Sequence, residues 1–256
     1  MTKPRVILFD IGETLWSSPP EDPTALAECY GRGRAILVEA LGEPAVPAVA
    51  ALVEAVEGHF AEWEIAWRND PTLNTQRPTH AFVADALSRI NVLPPQAALE
   101  GFTDALLETS IYTAIAEKPE PDMVVAMEAL SKLDIRMGCV SNAFMTGRDL
   151  MRVLEAKGLA KYLEMTIASC EAGYRKPHPS FYQAGLDAFG AAAAEAIFVG
   201  DRLYADVEGP AKLGMRTVLT TQYRAEDHST SSIAPDLVIA HLRELVPWVE
   251  GLLKAE

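Results

Sequence analysis

Near the N-terminus, Val6-Ile7-Leu8-Phe9 forms one short apolar run that ends on Asp10. A continuous run of this length suits a strand buried on both faces. A single strand cannot bury itself, and residues 16–118 carry helical periodicity with little strand signal. The partners of the first strand must therefore come from the second half of the chain. This forces a sheet whose sequence is interrupted by a helical insertion.

The insertion reads as four helices. Asp22-Pro23 predicts an N-cap followed by proline at the first helical position. Val49, Leu52, Val53, Val56, Phe60, Trp63 and Trp67 recur at steps of three and four, which predicts a second helix with one apolar face. Thr79 is the expected cap of a third, with Phe82, Val83, Ala86, Leu87 and Ile90 on one face, and Pro94-Pro95 opens a fourth through Leu99, Phe102, Leu106 and Leu107. After Lys118 strand and helix alternate. Strands are expected at 135–141, 165–169, 196–200, 216–220 and 237–240, and helices at 123–133, around 150–154, at 179–189 and at 206–213, with a last helix at the C-terminus. Gly158, Gly190 and Gly214 stand where helices should stop. Such βαβ alternation implies a parallel sheet with helices on both faces. The expected fold class is therefore α/β: a Rossmann-like, doubly wound parallel-sheet core formed by residues 1–15 and 119–256, with an all-helical domain inserted at 16–118. A chain of 256 residues is long enough for both parts.

In open parallel sheets, ligands bind beyond the carboxyl ends of the strands. Asp10, Ser141-Asn142 and Asp201 all fall at predicted strand ends, and Lys176 lies in a loop between two strand–helix units. Singly, each has an ordinary reading as a cap, a turn or a surface residue. Together and in this order they resemble the haloacid dehalogenase superfamily, whose best-known members are phosphatases. Phe9-Asp10-Ile11-Gly12-Glu13-Thr14-Leu15 resembles the first motif of that family and Val140-Ser141-Asn142 the second. Arg175-Lys176-Pro177-His178-Pro179 resembles the third, and Phe198-Val199-Gly200-Asp201 followed by Asp206 the fourth. The resemblance runs from residue 6 to about residue 220, and the helical insertion falls where the family carries its cap.

The resemblance implies a hydrolase acting on a small phosphorylated metabolite with Mg²⁺ as cofactor. A carboxylate can attack a phosphoryl group once the charges on both are neutralised, giving an aspartyl-phosphate. Mg²⁺ prefers oxygen ligands, commonly one or two carboxylates with substrate and water. In that scheme Asp10 is the nucleophile. Asp10, the Gly12 carbonyl and Asp201 hold the metal, and Asp206 supports its shell. Lys176 compensates the crowded carboxylates, and Ser141 and Asn142 position the phosphoryl group. Arg148 could meet an anionic part of the substrate, though an exposed helix arginine is an equal reading.

One position departs from the pattern. Phosphatases of the family usually carry a second aspartate where this chain has Gly12, and that aspartate protonates the leaving oxygen. General acid–base help is typically worth about 10²–10⁴-fold. Glu21, Glu62 or His59 from the insertion could replace it, the substrate could have a good leaving group, or turnover could be slow. The dehalogenases of the family also lack the second aspartate, so metal-independent dehalogenation of a 2-haloacid stays open. So does a binding module without turnover. The phosphonate-cleaving branch needs a cap lysine, and residues 16–117 contain none.

The charge balance bears on partners. With 36 Asp+Glu against 22 Lys+Arg, the formal net charge is −14. This argues against nucleic acid, whose phosphates need clustered Lys and Arg. No apolar stretch approaches the roughly 20 residues that cross a bilayer, so no membrane is expected. Cys29, Cys139 and Cys170 are far apart and form no metal or redox motif, which suits a reducing, cytoplasmic setting. A homodimer is compatible with all of this. Trp16 stands where a mobile flap would begin, and Trp63 and Trp67 are expected chiefly as core residues.

Overall fold

The computed structural model describes residues 2–17, 22–70, 72–226 and 233–254. The chain divides into two compact units, residues 1–18 with 117–256 and residues 19–116.

The first unit is built on a six-stranded parallel sheet with strands β1 (Val6–Phe9), β2 (Arg136–Ser141), β3 (Thr166–Ala168), β4 (Ala196–Gly200), β5 (Arg216–Thr220) and β6 (Leu237–Ile239), in the order β3-β2-β1-β4-β5-β6. The first strand is thus central, between two strands that lie more than a hundred residues later. All four of its residues are buried, as the unbroken apolar run requires. Side chains alternate between the faces. Val6, Leu8, Val140 and Phe198 pack with Phe181, Tyr182, Leu186 and Phe189 of the helix Pro179–Phe189, while Ile7 and Phe9, also fully buried, point the other way. That helix is α8. The helices of the chain are α1 (Pro23–Leu41), α2 (Val49–Asn69), α3 (Thr79–Arg89), α4 (Gln96–Ala116), α5 (Pro121–Ser131), α6 (Gly147–Ala156), α7 (Ser169–Ala172), α8, α9 (Gly209–Lys212) and α10 (Leu245–Lys254). Gly185 lets α8 close on the sheet, since a Cβ there would come within 2.8 Å of Val140 and 2.9 Å of Leu8.

The second unit contains α1 to α4. Its core joins Tyr30 and Leu37, Leu52 and Val56, Val83 and Leu87, and Phe102 and Leu106, so each helix contributes the stripe its periodicity predicts. Asp22 caps α1 as expected, accepting from the Thr24 N–H at 2.9 Å. The cap of α3 differs from expectation. Pro78, not Thr79, is the flanking residue, with φ −52° and ψ 145°, and its carbonyl accepts from Ala81 N–H at 2.9 Å. Proline's fixed φ and an extended ψ end the preceding loop there, so Thr79 becomes the first helical residue.

The segment after β4 also differs. Instead of an α-helix over 206–213, a π-helical turn occupies Leu203–Glu208 and runs into α9. The wider turn sets Asp206 inside the element rather than at its start. Turns of this kind recur at functional sites.

Candidate active site

The strand register brings the site together. Phe9 pairs with Cys139 on one side and Val199 on the other. One residue further, Asp10 donates its N–H to the Val199 carbonyl at 2.9 Å. Asp10 therefore leaves the sheet where the strand order reverses, with β2 on one side and β4 on the other, the crevice where open α/β sheets bind ligands. Ser141 ends β2 and Asp201 follows β4, each within about one strand spacing of Asp10, roughly 5 Å.

Lys176 ties these strand ends together. Its ammonium lies 2.9 Å from Asp10 Oδ1 and 2.7 Å from Asp206 Oδ1. Ser141 Oγ donates to the same Asp10 oxygen at 2.9 Å. Both partners converge on Oδ1, and Asp10 Oδ2 has a bond to neither. Asp206 is bound through both oxygens, since Oδ2 accepts the Arg202 N–H at 2.9 Å. Gly200 makes room for this carboxylate: a Cβ there would sit 2.3 Å from Asp206 Cγ. The glycine of the fourth motif is thus a steric requirement of the aspartate six residues later.

Asn142 holds the backbone of the third motif. Its Oδ1 accepts the Lys176 N–H at 2.7 Å and its Nδ2 donates to the Lys176 carbonyl at 3.2 Å. The amide thus clamps the backbone of the loop that presents the lysine, across a cis Lys176–Pro177 peptide. The rest of the third motif starts α8: the His178 side chain accepts the Ser180 N–H and Pro179 is the first helical residue. Ser169, at the start of α7, accepts the Ala143 N–H at 3.0 Å and steadies the loop after Ser141.

Asp10, Asp201 and Asp206 each offer an oxygen, all within 4.8 Å of one another, and all three are buried. Burial raises the pKa of Asp201, and Asp206 and Asp10 raise it further. Burial also raises that of Asp206, against the pull of Lys176. For Lys176, burial alone would lower the pKa, but Asp10 and Asp206 outweigh it and hold the ammonium above its ordinary value. An all-oxygen cluster of acids that resist ionisation, with one carboxylate seated where no Cβ fits, suits a hard divalent cation such as Mg²⁺.

Arg224 was not anticipated. It lies in the loop after β5, and its Nε is 2.6 Å from Asp201 Oδ2. The approach is not aligned for a hydrogen bond, so the contact is ionic. The strand-end rule applied to β5 would have pointed to this loop; no motif did.

Arg148 is exposed on the first turn of α6, outside the hydrogen-bonded cluster. Gly12 and Glu13 form the turn after β1. Gly12 bridges to Trp16, and Glu13 takes a left-handed φ of 56°. Trp16 is only 3% exposed and lies under the Lys157 ammonium, 4.9 Å from its ring centre.

Of the three residues considered for the acid missing at Gly12, Glu21 lies outside the described residues. Glu62 pairs with Arg89 at 2.6 Å, and that bond holds its pKa below the ordinary carboxylate value, which keeps it ionised. His59 is 4% exposed, and neither ring nitrogen has a hydrogen-bond partner among the described residues. Its Nδ1 lies 3.6 Å from Glu62 Oε2, beyond hydrogen-bond length. With Trp63, Ala66, Leu73, Asp85, Ser88 and Arg89, these two line a cavity of about 530 Å³ within the helical unit. Trp67 is buried in the core of the helical unit, and Trp63, half-buried, packs edge-on against Phe82 beside the cavity.

A six-stranded parallel sheet with acids gathered at its switch point and a helical insertion after the first strand describes a class of hydrolases. The chain belongs to the haloacid dehalogenase-like hydrolase family, whose model matches residues 4–214. It is 25% identical over 255 residues to a glyceraldehyde 3-phosphate phosphatase of Methanopyrus kandleri, covering 98% of this chain and 99% of that protein. In structure it resembles a 2-haloacid dehalogenase of Pseudomonas syringae pv. Tomato DC3000, at a TM-score of 0.62 and 22% identity over 97% of this chain and 98% of that one. It resembles a HAD phosphatase of Thermococcus onnurineus with the same score and identity, over 96% and 98%. The two likenesses define the fold and do not separate the two chemistries. No helix among the described residues is long and apolar enough to cross a membrane.

Proposed function

We propose that the chain is a Mg²⁺-dependent phosphatase of a small phosphorylated metabolite, working through an aspartyl-phosphate on Asp10. The observation that carries this reading is the buried cluster of Asp10, Asp201 and Asp206 within 4.8 Å, bridged by Lys176. Displacement of halide from carbon needs no cation and gives three crowded acids no purpose. The full-length likeness to a phosphatase named for a three-carbon sugar phosphate supports a small, sugar-like substrate.

Asp10, Asp201 and the Gly12 carbonyl would hold Mg²⁺, which when bound neutralises the attacking carboxylate and the phosphoryl oxygens. Ser141 and Lys176 both fix Asp10 Oδ1, which orients Oδ2 for attack. Asp206, with both oxygens engaged, holds Lys176 and supports the metal shell. Asn142 contributes by setting the lysine's backbone, and Arg148, exposed on α6, would meet an anionic substrate group. Gly12 cannot protonate the leaving oxygen, so activated phosphates should be turned over best.

Phosphate release from a panel of sugar phosphates and acyl phosphates, with Mg²⁺ or with EDTA, tests the reading. Turnover should require Mg²⁺, and Asp10→Asn should reduce it on the order of 10⁴-fold or more, as loss of a nucleophile does. Activity that survives EDTA or Asp10→Asn would overturn the proposal. Halide release from a 2-haloacid in EDTA would put dehalogenation in its place.

A further inference from the structure

The carboxylates of the cluster do not share their countercharge evenly. Lys176 reaches Asp10 and Asp206. Asp201, 1% exposed, receives instead the guanidinium of Arg224, with both contacting atoms buried and neither in a directed hydrogen bond. An aligned bond would lock the pair. An ionic contact at 2.6 Å without alignment neutralises Asp201 with little directional hold.

The arginine is attached in a way that lets it leave. The backbone beside it is pegged on both sides. Gln222 Nε2 donates to Glu120 at 2.8 Å and its Oε1 accepts from Leu242 N–H at 3.2 Å, while Glu226 accepts the Leu203 N–H at 2.6 Å. Between these pegs the Arg224 side chain is 38% exposed, so rotation about its own bonds carries the guanidinium into solvent with the loop in place. Arg202 also faces the cluster. Burial opposes its charge, but Asp201 and its neighbours outweigh that, and it gives Asp206 its backbone N–H.

We propose that Arg224 is a tethered competitor of the divalent cation: it covers Asp201 while the metal is away, and it must swing off for the metal to bind. The proposal rests on the metal reading of the cluster. Arg224 and a divalent ion would both draw on the Asp201 carboxylate, and exchanging the guanidinium for the ion adds one positive charge beside three crowded carboxylates. If Arg224 covers Asp201 about nine-tenths of the time, the apparent dissociation constant is about tenfold weaker than the intrinsic one.

Calorimetric titration of Mg²⁺ alone into the metal-stripped full chain, without substrate, reads this directly. Arg224→Met should bind Mg²⁺ about tenfold more tightly than the native chain. Arg224→Lys, which keeps the charge, should stay near the native value. Asp201→Asn should lose binding in both backgrounds. The rise in melting temperature on adding Mg²⁺ should likewise be larger for Arg224→Met, a readout independent of binding heat. Equal or weaker binding by Arg224→Met, with binding still abolished by Asp201→Asn, overturns the proposal and leaves the metal reading intact. Tightening by Arg224→Lys as large as by Arg224→Met removes charge as the cause and also overturns it. Absence of binding by the native chain and by Arg224→Met overturns both.

Discussion

The chain gathers titratable side chains in two places, and the two are built differently. At the ends of β1, β2 and β4, Asp10, Ser141, Lys176 and Asp206 are joined by hydrogen bonds and ion pairs of 2.7–2.9 Å. In the cavity of the helical unit, His59 is buried with neither nitrogen hydrogen-bonded among the described residues, and Glu62 is held by a half-exposed arginine. The first place is fixed by backbone register, because parallel pairing puts three strand ends side by side whatever their side chains are. The second arises from helix packing, where a polar residue on an apolar stripe is buried along with its neighbours. A polar group that is wired into a network is costly to remove, and one buried without partners is costly to keep. Substitutions on the two sides should therefore differ in sign as well as in size.

The largest change should come at the position where the wired site lacks a group. Gly12→Asp adds the missing acid, and turnover of phosphate monoesters should rise by about 10²–10⁴-fold, read as phosphate release under saturating Mg²⁺. No gain would mean that the space is already served by another group. Next in size is Lys176→Met. It leaves Asp10 and Asp206 buried without their cation, and breaking a buried pair in this way typically costs about 3–5 kcal/mol. Urea unfolding of the metal-free protein measures it, and adding Asp206→Asn should recover part of the loss. A loss below about 1 kcal/mol would mean the lysine is not the organiser of the cluster.

Asp201→Asn should act in the opposite direction. The pKa of Asp201 stands at about 7 in the fold against an ordinary 3.8, chiefly through burial. Folding thus favours its protonated form, so this contribution to stability is fully present below 3.8 and is lost as the pH rises through about 7. The asparagine variant escapes that loss. In EDTA it should be more stable than the native chain at pH 8, by on the order of 1–3 kcal/mol, with the advantage vanishing toward pH 4. A difference independent of pH would show that the acid is ionised throughout.

What could be read from the sequence follows the same division. The strand ends were legible because a continuous apolar run fixes a buried strand, and the polar residue that ends it is then fixed as well. Asp10, Ser141 and Asp201 are of this kind. The bond from the Asn142 amide to the backbone of residue 176 was not legible, since a pairing across 34 positions leaves no trace in local pattern. Arg224 was missed for a similar reason: a lone arginine in a polar loop looks like surface until the strand order brings β5 beside β4. The π-helical turn at Leu203–Glu208 escaped because its residues have ordinary helix propensities, and only the fit of Asp206 against Gly200 reveals the wider geometry.

The smallest expected effect is the sharpest test of the contrast. His59 packs beside Phe82, with ring centres 6.3 Å apart, and buries two nitrogens that find no partner among the described residues. Leaving a polar group unsatisfied costs about 1–3 kcal/mol, and replacing it with an apolar group of similar shape removes that cost along with a little packing. His59→Met keeps the volume and drops the nitrogens. Its unfolding free energy should lie within about 0.5 kcal/mol of the native value or slightly above it, since the two terms nearly cancel. Urea unfolding of the two proteins under the same conditions measures the difference. A loss above about 2 kcal/mol would place His59 in a bonded network after all and erase the difference between the two regions.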